Sequence, residues 1–194
     1  MLKHLYKTAV LSLVFLILES VQLLHAETYV AFVKRMSMAG QNQGLVQPSL
    51  EQELLGLVNG FRRSKGLNSL GFDPGLRAAA RAHALDMAQH NFMGHQASTG
   101  QDFDSRMHAL RDGAMVLPAL GENAAMVPGA AFGTVDVAQR LFQAWLKSPP
   151  HYHTLVSRDY LTLATGVVLW NGRAYADQIF VGPEVTTNFN RAPQ

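Results

Sequence analysis

The sequence predicts an α+β domain in which helices come first and antiparallel strands last. Two helical hydrophobic repeats in the first half and one Asn-Gly hairpin near the end carry that prediction. Leu50, Leu54, Leu57, Val58 and Phe61 recur on one helical face, as do Leu76, Ala80, His83 and Met87. Thr162–Trp170 and Arg173–Val181 read as strands flanking Asn171-Gly172, the dipeptide best suited to the two positive φ angles of a type I′ turn.

The first 26 residues read as an export signal. Lys3 and Lys7 precede the apolar run from Ala9 to Leu18, and Leu24-His25-Ala26 ends in a small residue, so cleavage is expected before Glu27. Retention as an uncleaved N-terminal anchor is the alternative. A membrane-spanning helix needs about 20 apolar residues, and Glu19, Ser20 and Gln22 interrupt well short of that. No stable membrane span is expected, and with no cysteine in the chain a lipid carried on cysteine is excluded.

Removing the signal takes Lys3, Lys7 and Glu19 from 16 basic and 14 acidic residues and leaves a charge near +1. Arg62-Arg63-Ser64-Lys65 is too short to be the footprint of a nucleic-acid binder, so no DNA or RNA partner is expected. The remaining length suits one domain with a core large enough to need no disulfides, and none can form.

Residues 27–48 show no sustained period and gather Gly40, Gln41, Asn42, Gln43, Gly44 and Pro48, which reads as a linker. Ser49-Leu50-Glu51-Gln52 has the spacing of a capping box and opens the first helix, which stops near Gly66. Asp73-Pro74 supplies an N-cap and a proline at the first helical position for the second, ending near Asn91. Phe92–Gly100 is loop, Phe103–Leu110 a short helix, and Ala124–Val127 a strand. Val135, Ala138, Leu141, Phe142 and Trp145 mark a further helix that Pro149-Pro150 ends. The domain therefore spans 49–182, with a polar tail at 183–194.

Six histidines follow the signal: His83, His90, His95, His108, His151 and His153. None forms a His-Glu-x-x-His pair. His95 and His151 sit at loops or helix ends beside small or rigid residues, where functional imidazoles tend to occur. His83 lies on an apolar stripe and reads as a packed core histidine. Glu122, after Gly121, has two readings: a carboxylate structuring a turn, or one joining two histidines around a divalent ion. Asp86 faces solvent or bonds to a neighbouring loop. No cysteine, Gly-x-Ser-x-Gly elbow or phosphate-binding glycine loop is present, and Ser148 before Pro149-Pro150-His151 is a turn before it is a dyad.

Five segments in order resemble the CAP superfamily of cysteine-rich secretory, antigen 5 and pathogenesis-related proteins. They are Leu85-Asp86-Met87-Ala88 after His83-Ala84, Phe92-Met93-Gly94-His95, Gly121-Glu122-Asn123-Ala124-Ala125, Trp145-Leu146-Lys147-Ser148-Pro149-Pro150-His151, and Tyr175–Phe180. The resemblance implies a three-layer α-β-α sandwich with a central antiparallel sheet and a cleft bearing two histidines and two glutamates, sometimes around zinc or another divalent cation. His95, Glu122 and His151 match three of the four. Ser148 stands where animal and plant members carry the fourth, which fits a bacterial-type branch. The function so implied is a secreted or periplasmic binding protein for a metal or a small-molecule, lipid or protein ligand. A metal-dependent hydrolase of peptide or cell-envelope substrates and a lipid or sterol carrier are the alternatives. His153 shares a face with His151 only if that segment is extended.

Overall fold

The computed structural model describes residues 27–111, 118–128 and 134–183; the expected signal peptide and residues 184–194 of the tail lie outside them. The described residues form six helices and four strands in the order α1 (Tyr29–Asn42), α2 (Pro48–Ser64), β1 (Gly71–Phe72), α3 (Pro74–His90), α4 (Phe103–Leu110), β2 (Leu120–Pro128), α5 (Thr134–Lys147), α6 (Pro149–Val156), β3 (Thr162–Trp170) and β4 (Arg173–Val181). The strands form one sheet in the order β1-β3-β4-β2. Only the two-residue β1 runs parallel to its neighbour.

Strand alternation sorts the sheet residues onto two cores. Ala124, Ala164, Val168, Tyr175 and Ile179 meet α1 and α3 on one face. Ala125, Leu163, Val167, Ala176 and Phe180 meet α2 and α5 on the other. This is the α+β sandwich that the sequence predicts. The face beneath α3 admits no side chain at Gly166, because a Cβ there would overlap the backbone of Ala80 and Arg81.

Asp73 caps α3, accepting from Leu76 N at 3.1 Å, and Asn91 closes that helix at φ 52°. Asn171 and Gly172 adopt φ 46° and 72° in the β3–β4 turn, and β3 and β4 pair without a slip from Thr162↔Val181 to Trp170↔Arg173.

Three expectations need correction. Residues 27–48 are not a linker: Thr28 caps α1, and Tyr29, Phe32, Val33, Met36 and Gly40 are buried along one helical stripe. The capping box at Ser49 does not form, since the helix already begins at Pro48 behind Gln47, with no side-chain cap bond. Pro149-Pro150 ends α5 but also starts α6, as prolines in a first helical turn lack only donors that would have no partner there.

Candidate functional site

The two histidines singled out from the sequence and the glutamate between them come together at one end of β2. Gly121 makes this approach possible, since a Cβ there would run into the Tyr160 ring and Thr154. Asn123 on the opposite face of β2 donates from Nδ2 to His151 O at 3.3 Å, fixing the start of α6 against the strand. His95 arrives on the loop after α3. Buried His83 ties that loop down through Nε2 to Gly94 O at 2.9 Å, and Asp86 accepts from Ser98 N and Oγ at 2.8 and 2.5 Å. His83 is thus the core histidine expected, and Asp86 bonds to the neighbouring loop.

Glu122 is almost wholly buried and divides its two oxygens between two partners. Oε1 accepts from Arg106 Nη2 at 2.6 Å, and Oε2 pairs with His95 Nδ1 at 2.8 Å. The side chain of Arg106 is fully buried, whereas that of His95 is 53% exposed. Arg106 also donates to His95 O at 2.9 Å and to Tyr29 Oη at 3.4 Å. One guanidinium thereby joins the N-terminal helix, the loop and the sheet. The His95 and His151 ring centroids are 6.3 Å apart, at an interplanar angle of 73°. Among the described residues, neither His95 Nε2 nor the His151 ring takes a hydrogen bond.

This arrangement sets the protonation pattern. Burial raises the Glu122 carboxyl, but the His95 hydrogen bond and the Arg106 charge outweigh it and hold the group below its ordinary value. The hydrogen bond to Glu122 raises His95, against the opposing effect of burial. Burial, then the neighbouring His95 charge, lowers His151. Asp177 lies wholly buried on the same sheet face as Glu122, and burial followed by the Glu122 charge pushes it well above the usual carboxylate range. Burial pushes the Tyr29 phenol up to about 12.

His95, Glu122 and His151 are neighbours, yet among the described residues no three His, Cys, Asp or Glu side chains form a cluster with metal-holding geometry. Both Glu122 oxygens are already engaged, so the donors left to a cation are the His95 and His151 rings. Two imidazoles suit zinc, copper or nickel. A carboxylate on the far nitrogen of a ligating histidine is the usual device for fixing its tautomer. A cation held here would meet two imidazoles, with Glu122 behind one of them. His153 is exposed and on a different face of α6 from His151. A cavity of about 340 Å³ runs along Phe92–Ser98 with His95 in its wall.

Arg106, Tyr29 and Asp177 escaped sequence reasoning. Arg106 pairs with Glu122, Tyr29 reaches it through Arg106, and Asp177 feels its charge across the sheet face; all three links run between separate elements, and no local period reports them.

The family model of the cysteine-rich secretory protein (CAP) family matches residues 55–182. Similar curated proteins are the uncharacterized membrane protein YlbC of Bacillus subtilis (strain 168), 27% identical over 77% of this chain and 39% of its own, and the uncharacterized protein YkwD of the same organism, 26% identical over 61% and 42%. The chain spans about two fifths of the length of these relatives. A similar solved structure is an extracellular protein containing an SCP domain from Bacillus anthracis, with TM-score 0.55 and 25% identity over 71% of this chain and 41% of that one. Another is an outer surface protein of Borrelia burgdorferi, with TM-score 0.58 and 18% identity over 70% and 94%, a likeness of fold alone. Among the described residues no helix is long and apolar enough to cross a membrane.

Proposed function

Since the chain belongs to the CAP, or cysteine-rich secretory protein, family, we propose that it is an exported binding protein whose cleft takes a divalent cation or small polar ligand between His95 and His151. The observation that carries this reading is the 2.8 Å contact of Glu122 Oε2 with His95 Nδ1. It fixes the imidazole through Nδ1 and leaves Nε2 without a hydrogen bond, beside a second ring that takes none among the described residues. Buried Arg106 holds Glu122 from behind and keeps it ionised, so the carboxylate positions His95 and is not itself a ligand. Bound there, a cation would offer open coordination positions to the oxygen or nitrogen of a further ligand. Export is supported by the N-terminal residue pattern and by the description of the B. anthracis neighbour as extracellular. Hydrolysis and lipid carriage gain no observation of their own.

Calorimetric titration of zinc into the protein and into a His95→Ala/His151→Ala variant, each checked for an intact fold, tests the reading. Saturable binding that the variant loses is expected. Equal binding by both, or none by either, would overturn the cation site.

A further inference from the structure

A second cavity, of about 330 Å³, lies at the hairpin end of the sheet, the end away from the histidines. Trp170, Arg173 and Tyr175 share the sheet face that α3 covers, and Trp170 and Arg173 are a directly opposed pair across the turn. The end of α3 closes the space with Ala88, Gln89 and Asn91, and Asn171 lies on the turn itself.

Three features set this cavity apart. Tyr175 lines it while only 3% exposed, and its hydroxyl has no hydrogen-bond partner among the described residues. The hydroxyl oxygen is not itself sealed from solvent, so the cavity is where it can meet a partner. Next, Asn91 and Asn171 are the non-glycine residues with positive φ among the described residues, at 52° and 46°, and both line this one cavity. Asparagine is at home at a helix end and in a type I′ turn, and unlike glycine it also brings a side-chain amide to each place. Finally, Arg173 is exposed and has no ion-pair partner among the described residues, and no acidic side chain lines the cavity.

We propose that this cavity is a saccharide-binding site with a preference for carboxylate-bearing sugars. A sugar ring offers a C–H face and a rim of hydroxyls. The indole of Trp170 provides the flat apolar wall for that face. Gln89, Asn91 and Asn171 each pair a donor with an acceptor, which is what neighbouring hydroxyls require, and the Tyr175 hydroxyl completes the floor. The Arg173 guanidinium takes a carboxylate through two parallel N–H donors. The volume lies within the range of small-ligand pockets, about 300–1,000 Å³. The cavity shares no lining residue with the one beside His95.

The test is titration of a glucuronate-containing hyaluronan tetrasaccharide and of neutral chitotetraose, followed by amide chemical shifts and calorimetry. Asn91→Gly removes an amide and relaxes the backbone, Tyr175→Phe removes one hydroxyl, and Arg173→Ala removes one charge from an exposed site. With melting temperatures unchanged, each of the first two should weaken both sugars about tenfold, and Arg173→Ala should erase the preference for the acidic one. His95→Ala/His151→Ala should leave both affinities intact, which separates failure here from failure at the cleft. Failure of both sugars to bind at millimolar concentration would overturn the proposal, as would binding that these variants leave unchanged or that the histidine variant abolishes.

Discussion

Two buried carboxylates in this molecule are each clamped by an arginine, and they differ in what the second oxygen does. Glu51 on α2 receives Arg81 through both oxygens, at 2.7 and 2.6 Å, and spends what remains on Val167 N at 3.4 Å. Every partner is internal, and the pair seals β3 between α2 and α3. Glu122 gives one oxygen to Arg106 and the other to an imidazole that reaches solvent. The first pair is closed and structural. The second is open on one side and passes its charge to the surface.

Breaking the closed pair should have the largest effect. Glu51→Ala leaves the Arg81 charge buried with no carboxylate, and a loss of about 3–5 kcal/mol is expected in urea unfolding. Replacing both partners, as Glu51→Leu with Arg81→Met, should cost much less, because no charge is stranded. If the double variant is as unstable as the single one, the pair's hydrogen bonds and not its charges hold that edge.

At the open pair, Arg106→Leu should cost less than Glu51→Ala, about 2–3 kcal/mol, because Glu122 keeps His95 as a partner. Equal losses would erase the distinction between the two pairs.

The smallest effect is on protonation. His95 should titrate above 6.5 and His151 below it in imidazole NMR spectra, with Glu122→Gln bringing His95 back down. A folded-state value above the unfolded one makes the His95 contribution to stability complete below the unfolded value of about 6.5 and lost as pH rises through the folded value. Since His95 is half exposed, that slope is shallow, and Glu122→Gln should flatten it. An unchanged His95 titration in this variant would show that the contact with Glu122 does not govern the ring.

The periodic parts of this fold were legible in the sequence, and the contacts between elements were not. Asn171-Gly172 and Asp73-Pro74 place a turn and a helix start by local backbone chemistry alone, and the structure has both. The stripe Tyr29, Phe32, Val33, Met36 is a helical period that the crowd of Gly and Gln just beyond it obscures. His95, Glu122 and His151 are found from a resemblance, not from spacing. Arg106 is invisible either way, since an arginine on a short polar helix looks solvated until β2 places a carboxylate 2.6 Å away.

That arginine gives α1 a consequence for where the domain begins. The family match starts at residue 55, yet the Tyr29 ring lies 5.9 Å from the Arg106 guanidinium and helps bury it. A fragment cut at the edge of the match would keep all three cleft residues while admitting water beside the guanidinium. The higher local dielectric would weaken its hold on Glu122. Fourteen residues beyond the recognisable family sequence thus act as the insulation around a buried charge.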